Sequence, residues 1–142
     1  MEFVYQISPS GNHIQVVGRG EISVKDCIEI FERVLADPRC SPDSTALIDL
    51  SDAVYTAKNE KAVIRIAKAL EEGKDILKNR IAIVAKRSTL FAAEILALHI
   101  RQATNVEIRV FTDLSSAMNY CREGWSSTEK VGASGLAFAC EA

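Results

Sequence analysis

The chain lacks most of the features that would announce a chemistry. Across its 142 residues no uninterrupted apolar run approaches the roughly 18 residues that suggest a membrane span. The nearest, Leu90 to Leu98, is short and carries Glu94. The opening Met1-Glu-Phe-Val-Tyr5 has no basic stretch ahead of an apolar one, so it does not read as a signal peptide, and a cytoplasmic location is expected. The four cysteines, Cys27, Cys40, Cys121 and Cys140, form no Cys-x-x-Cys pair, and His13 and His99 stand apart from them. That spacing argues against a zinc site, and neither a metal nor another cofactor is expected. In a reducing cytoplasm the cysteines are expected to stay unpaired, Cys27 and Cys121 acting as small hydrophobes. A Gly-rich phosphate loop, a Gly-x-Ser-x-Gly elbow and a paired-histidine motif are all missing, so no catalytic residue is assigned and the chain reads as a non-enzyme. The net charge of −2 and the lack of a basic stripe argue against nucleic acid as a partner.

What remains is the composition of a soluble globular protein, 48% hydrophobic and 25% charged, in a chain long enough for one full core. Phe3 to Ser8 alternates apolar and polar residues as a half-buried strand does. Pro9-Ser10-Gly11-Asn12 gives a turn, and a second strand starts at His13 and runs on toward Ile22 across Gly18 and Gly20. Those glycines predict a bulge or a close backbone approach. Ser23 caps a helix holding Cys27, Ile28, Phe31, Val34 and Leu35 at helical spacing, and Pro38 ends it. Thr45 to Leu50 is a continuous apolar strand with Asp49 near its end, followed by a polar loop. Asn59 caps a second helix that Gly73 stops; Arg80 to Ala85 is the next buried strand. Ser88 or Thr89 starts a third helix through Ala103, Val106 to Phe111 is the last strand, and Thr112 or Asp113 caps a fourth helix ending at Gly124.

The order β-β-α-β-α-β-α-β-α predicts an α/β fold: a five-stranded, mostly parallel sheet opened by an antiparallel hairpin, with about four helices on its faces. Residues 1–124 form this domain. Residues 125–142 read as a C-terminal extension, mobile or docking on the domain or a neighbour, with Trp125 as an apolar anchor at its start.

The opening hairpin, the strands Ala46-Leu-Ile-Asp-Leu50 and Ile81-Ala-Ile-Val-Ala85, and Val106-Glu-Ile-Arg-Val-Phe-Thr-Asp113 resemble the SpoIIAA-like group of STAS-like domains, the fold of anti-sigma-factor antagonists, described as related to CRAL-TRIO lipid-binding domains. The resemblance covers Met1 to Gly124 and implies a regulatory or interaction role. In STAS antagonists the loop after the third strand presents a phosphorylatable Ser. Here Lys58 or Asn59 falls at that place, which removes the phospho-switch and leaves the broader use of this end of the sheet as a binding surface.

Two candidate surfaces follow. Asp52, Thr56, Lys58 and Asn59 would bind a protein partner, a second copy of the chain included; the alternative for these polar residues is local loop and cap chemistry. Lys86, Arg87, Ser88 and Thr89 join two cations and two hydroxyls at a helix N-terminus, which suits a carboxylate or phosphate, or else a solvated turn. Beside them Leu90, Phe91, Ile95 and His99 lie on a helix apolar around most of its circumference. They suggest a ligand pocket, a homodimer contact, a seat for the docked C-terminal extension, or deep burial. The first reading is therefore a cytoplasmic interaction module. The second is a carrier or sensor of a small amphipathic ligand such as a fatty acid, its head group on Arg87, Ser88 and Thr89.

Overall fold

A computed structural model describes residues 2–41, 43–55, 79–103 and 106–125, together with Lys61, Ile64, Arg65 and Lys68. Five strands form one sheet in the order β1-β2-β3-β4-β5, so each strand neighbours the next in sequence. β1 (Glu2–Ile7) and β2 (His13–Ile22) are antiparallel. β3 (Thr45–Tyr55), β4 (Arg80–Ala85) and β5 (Glu107–Phe111) then join β2 in parallel. Three helices are delimited among the described residues: α1 (Val24–Ala36), α2 (Leu90–Ala103) and α3 (Leu114–Glu123). This is fewer than the four or so expected, because most of the helix expected between Asn59 and Gly73 lies outside the described residues. Trp125 is buried on the sheet, while residues 126–142 lie outside the described residues.

Side-chain alternation sorts the core into two layers. Ile14, Val16, Ala46, Ile48, Ile81, Ile83 and Ile108 point to the face covered by α1 and α2, through Cys27, Ile30, Phe31 and Val34 of α1 and Ala93, Leu96 and Ala97 of α2. Leu47, Ala82 and Val84 point the other way, onto Ala117, Met118, Tyr120 and Cys121 of α3 and onto Trp125. Burial on both faces is why β4 reads as an unbroken apolar run. Burial also pushes the thiols of Cys27 and Cys121 up to about 12, so both sit as protonated hydrophobes, and among the described residues Cys27, Cys40 and Cys121 are free.

Local chemistry sets the boundaries. The β1–β2 turn closes with Gly11 in the left-handed region (φ 75°), where a side chain would also meet Arg39 O. A capping box starts α1: Ser23 Oγ accepts from Asp26 N (3.2 Å) and the Asp26 carboxylate accepts from Ser23 N (3.0 Å). Asp113 starts α3 by accepting from Ser116 N (2.7 Å). At its end Gly124 is in the right-handed region (φ −84°), so left-handed freedom does not explain the glycine. Close packing does: a Cβ there would lie 2.8 Å from Asn79 Oδ1 and 3.1 Å from Thr45 Cγ2.

β3 departs from the expected boundary. It runs past Leu50 to Tyr55, through residues expected to be a polar loop. The reason lies in β2, which shifts register between Val17 and Arg19 and continues to Ile22, giving Asp52, Ala53, Val54 and Tyr55 the partners Arg19, Gly20, Glu21 and Ile22. Gly18 permits the shift, since a Cβ there would come within 2.5 Å of Phe3 Cε1 and 3.1 Å of Leu50 Cδ2.

Candidate functional site

The carboxyl ends of the parallel strands converge on one edge of the sheet, where open α/β sheets place their ligands. β4 stops at Ala85, opposite Leu50 of β3, and β5 stops at Phe111, opposite Val84. β2 and β3 carry on beyond that line; Glu2 of β1 still pairs with Arg19 there, and from Gly20 and Ala53 onward the two continue as a two-stranded ribbon. Its alternation is clean: Ala53 is 1% exposed and joins the α1–α2 core, whereas Arg19, Glu21, Asp52 and Val54 face solvent. Val54 is 48% exposed, as is Val4 in the β1–β2 pair. No described strand pairs with Ser51–Tyr55 on the β4 side.

Asp49 and Asp52 therefore differ. Asp49 is buried, and its Oδ1 accepts from Ser51 N (3.0 Å) and Ser51 Oγ (2.6 Å), so its carboxylate closes the local backbone. Asp52, on the ribbon, is exposed. Thr56, Lys58 and Asn59 lie outside the described residues.

The β4–α2 turn leaves the same edge of the sheet. Thr89 N and Thr89 Oγ1 both donate to Lys86 O (3.0 and 3.2 Å), and Ala93 N donates to Thr89 O (3.1 Å), which leads the turn into α2. Lys86 and Thr89 are half-buried, while Arg87 and Ser88 are exposed. The structure thus brings Lys86–Thr89 to the same sheet end as Asp52. The apolar residues beyond them are split. Ile95 packs against the main core and Leu90 is half-buried, but Phe91 is 77% exposed. The side chain of His99 lies outside the described residues.

An acyl chain needs volume, and ligand pockets usually provide roughly 300–1,000 Å³. The cavity under α1, lined by Ile14, Val16, Phe31, Val34, Leu35, Ala46, Ile48 and Ile81, measures about 20 Å³, room for about one water. It also lies away from Arg87, Ser88 and Thr89. No three His, Cys, Asp or Glu side chains among the described residues gather in a metal-binding arrangement.

A second polar cluster, at the amino ends of β2 and β3, went unread in the sequence. Trp125 Nε1 donates to Thr45 Oγ1 (2.7 Å), and His13 Nδ1 lies 2.7 Å from the same oxygen. The rings of His13 and Trp125 meet edge to face at 5.1 Å. Ser8 Oγ accepts from His13 N (3.1 Å), and Ser44 Oγ donates to Gly11 O (2.5 Å). Burial, with Arg122 nearby, pulls the His13 pKa down to about 4, so the ring is neutral at physiological pH. His13 and Thr45 are sealed from solvent, at 1% and 0% exposure, which makes the cluster a fastening for the end of α3 rather than a place for substrate. Trp125 thus docks through a hydrogen bond as well as through apolar contact. Only its position just after an N-capped helix and a glycine marked it in the sequence.

Beside it, the Tyr120 ring meets two guanidinium groups, Arg80 at 4.8 Å and Arg109 at 5.3 Å from the ring centre. Arg80 also pairs with Glu107 (3.1 Å) and Glu123 (3.0 Å), tying α3 to β4 and β5.

Neither a family model nor a curated protein matches the chain. A solved structure does: an uncharacterised protein of the DUF3478 family from Shewanella loihica PV-4, with a SpoIIAA-like fold, is 19% identical with a TM-score of 0.55, over 84% of this chain and 93% of that one. The chain has a SpoIIAA-like fold. The antiparallel hairpin and the parallel strands β2 to β5 are the parts of that fold expected from the sequence and present here. No helix among the described residues is long and apolar enough to cross a membrane.

Proposed function

We propose that this SpoIIAA-like domain is a non-enzymatic, cytoplasmic interaction module that binds a protein partner with the projecting end of β2 and β3. The observation that carries the reading is the ribbon itself. It extends β3 by five residues beyond its last pairing with β4 and turns Arg19, Glu21, Asp52 and Val54 to solvent. A partner strand can add to the flank of Ser51–Tyr55 through main-chain hydrogen bonds, with the side chains supplying selectivity. Asp52 recognises the partner from the strand; Thr56, Lys58 and Asn59, which follow the ribbon in sequence and lie outside the described residues, belong to the same proposed contact. Lys86 and Arg87, at the same sheet end, favour an acidic or phosphorylated segment there.

The amphipathic-ligand reading is less well supported. Its head-group residues share a sheet end, but Phe91, expected to lie along the acyl chain, is exposed and faces away from the core that Ile95 joins.

Affinity capture from cells of the source organism tests the proposal. A partner retained by the wild-type chain should be lost with Asp52→Lys and with Lys58→Glu, while both variants keep the wild-type melting temperature. Retention by both variants would remove this surface from consideration.

A further inference from the structure

The outward face of α2 carries a pattern that neither the core nor the proposed partner surface uses. Phe91 and Leu98 are 77% and 46% exposed, seven residues apart, so they stand two turns apart on one side of the helix. Ile95, half-buried, lies between them. The opposite side of α2 already supplies the core with Ala93, Leu96 and Ala97. Burying the sheet therefore requires one apolar stripe, and this helix has two. Phe91 and Leu98, with half-buried Ile95 between them, make one apolar line that a partner surface could cover.

Charge indicates what covers it. Glu94 and Arg101 are both exposed, also seven residues apart, and flank the Phe91–Leu98 line on the same side. When two copies of one helix pack antiparallel about a two-fold axis, each flank meets the same flank of its partner with the residue order reversed. An axis midway between residues 94 and 101 then sets Glu94 of each copy opposite Arg101 of the other. That axis passes beside Leu98, so the two Leu98 side chains meet at the centre and each Phe91 closes one end. An axis that paired Phe91 with Leu98 would instead bring the two Glu94 carboxylates together. Arg101 Nη1 donates to Ile108 O (2.8 Å), which fixes the guanidinium at this edge. The face is thus self-complementary, with an apolar centre and two opposite-charge pairs.

We propose that α2 forms the two-fold interface of a homodimer, with Leu98 at the axis, Phe91 at each end and reciprocal Glu94–Arg101 pairs along its rim. The α2 face shares no residue with the β2–β3 ribbon, so the two proposals rest on different side chains. Failure of one proposal does not decide the other.

Sedimentation velocity of the full chain across a concentration series is the test. The wild type should sediment as a dimer and Leu98→Asp as a folded monomer. Glu94→Arg alone and Arg101→Glu alone should each weaken the dimer about tenfold, since two pairs turn from attractive to repulsive. The double reversal E94R/R101E should recover most of that loss. Rescue by the double variant is specific to self-pairing, because no other partner carries the compensating charge. A wild-type monomer at every concentration, a dimer unaffected by Leu98→Asp, or no rescue by the double reversal would each overturn the proposal.

Discussion

Lowering the pH should loosen this fold in part through His13. His13 has an ordinary value of 6.5 and is pulled down to about 4 in the folded protein, first by burial and then by Arg122. Between those values the unfolded chain binds a proton that the folded protein refuses. Stability contributed by the neutral ring is therefore complete above about pH 6.5 and drains away as the pH falls toward 4. The gap sets an upper bound of roughly 3 kcal/mol, of which about 2 kcal/mol is lost between pH 7 and pH 5. That is a large share of the stability of a domain this size. Urea titrations at pH 7 and pH 5 measure it, and Trp125 reports it, because it is the chain's single tryptophan and touches His13 directly. Paired carboxylates also lose stability in acid, so the informative quantity is a difference. The wild type should lose about 2 kcal/mol more than His13→Asn over the same interval. Equal losses in the two proteins would refute the reasoning.

Other outcomes follow from the packing. Ser23→Ala removes half of the capping box and should cost about 1 kcal/mol in a urea titration, with α1 fraying first in hydrogen exchange. Gly18→Ala forces a methyl against Phe3 and Leu50 and should destabilise by roughly 1–3 kcal/mol, lowering the melting temperature. Leu47→Ala empties a fully buried position beneath α3 and should cost about 2–5 kcal/mol. Asp52→Lys, on the exposed ribbon, should change stability by less than about 0.5 kcal/mol while abolishing partner capture.

Much of the fold was legible because period and caps agreed. Arg80 to Ala85 reads as an apolar run because both faces of β4 are covered, and Ser23 and Asp113 stand where a helix needs an acceptor for its first amides. The end of β3 was not legible. Ser51, Asp52 and Tyr55 look like loop residues because polar side chains are tolerated on a ribbon with one face in water, and the strand is held by its pairing with a distant part of β2. Local sequence carries no trace of that pairing beyond Gly18 and Gly20. Asp49 and Asp52, only three residues apart, separate in the fold because one bonds Ser51 and the other faces solvent. The His13–Thr45–Trp125 cluster joins residues 32 and 80 positions apart, and no local pattern links them. Phe91 stood out in the sequence only as part of an unusually apolar helix. Its exposure follows from the three-dimensional placement of Ala93, Leu96 and Ala97 against the sheet.

The central claim is that the β2–β3 ribbon meets a protein partner, and a photo-crosslinker placed at Val54 tests it most directly. The chain would be expressed in its own host with the reactive group at residue 54, or at Lys25 on the exposed face of α1 as a control. One adduct of defined mass is expected at 54, absent at 25 and lost when Asp52→Lys is added. Adducts of equal yield at the two positions, or an adduct at 54 that survives Asp52→Lys, would contradict it.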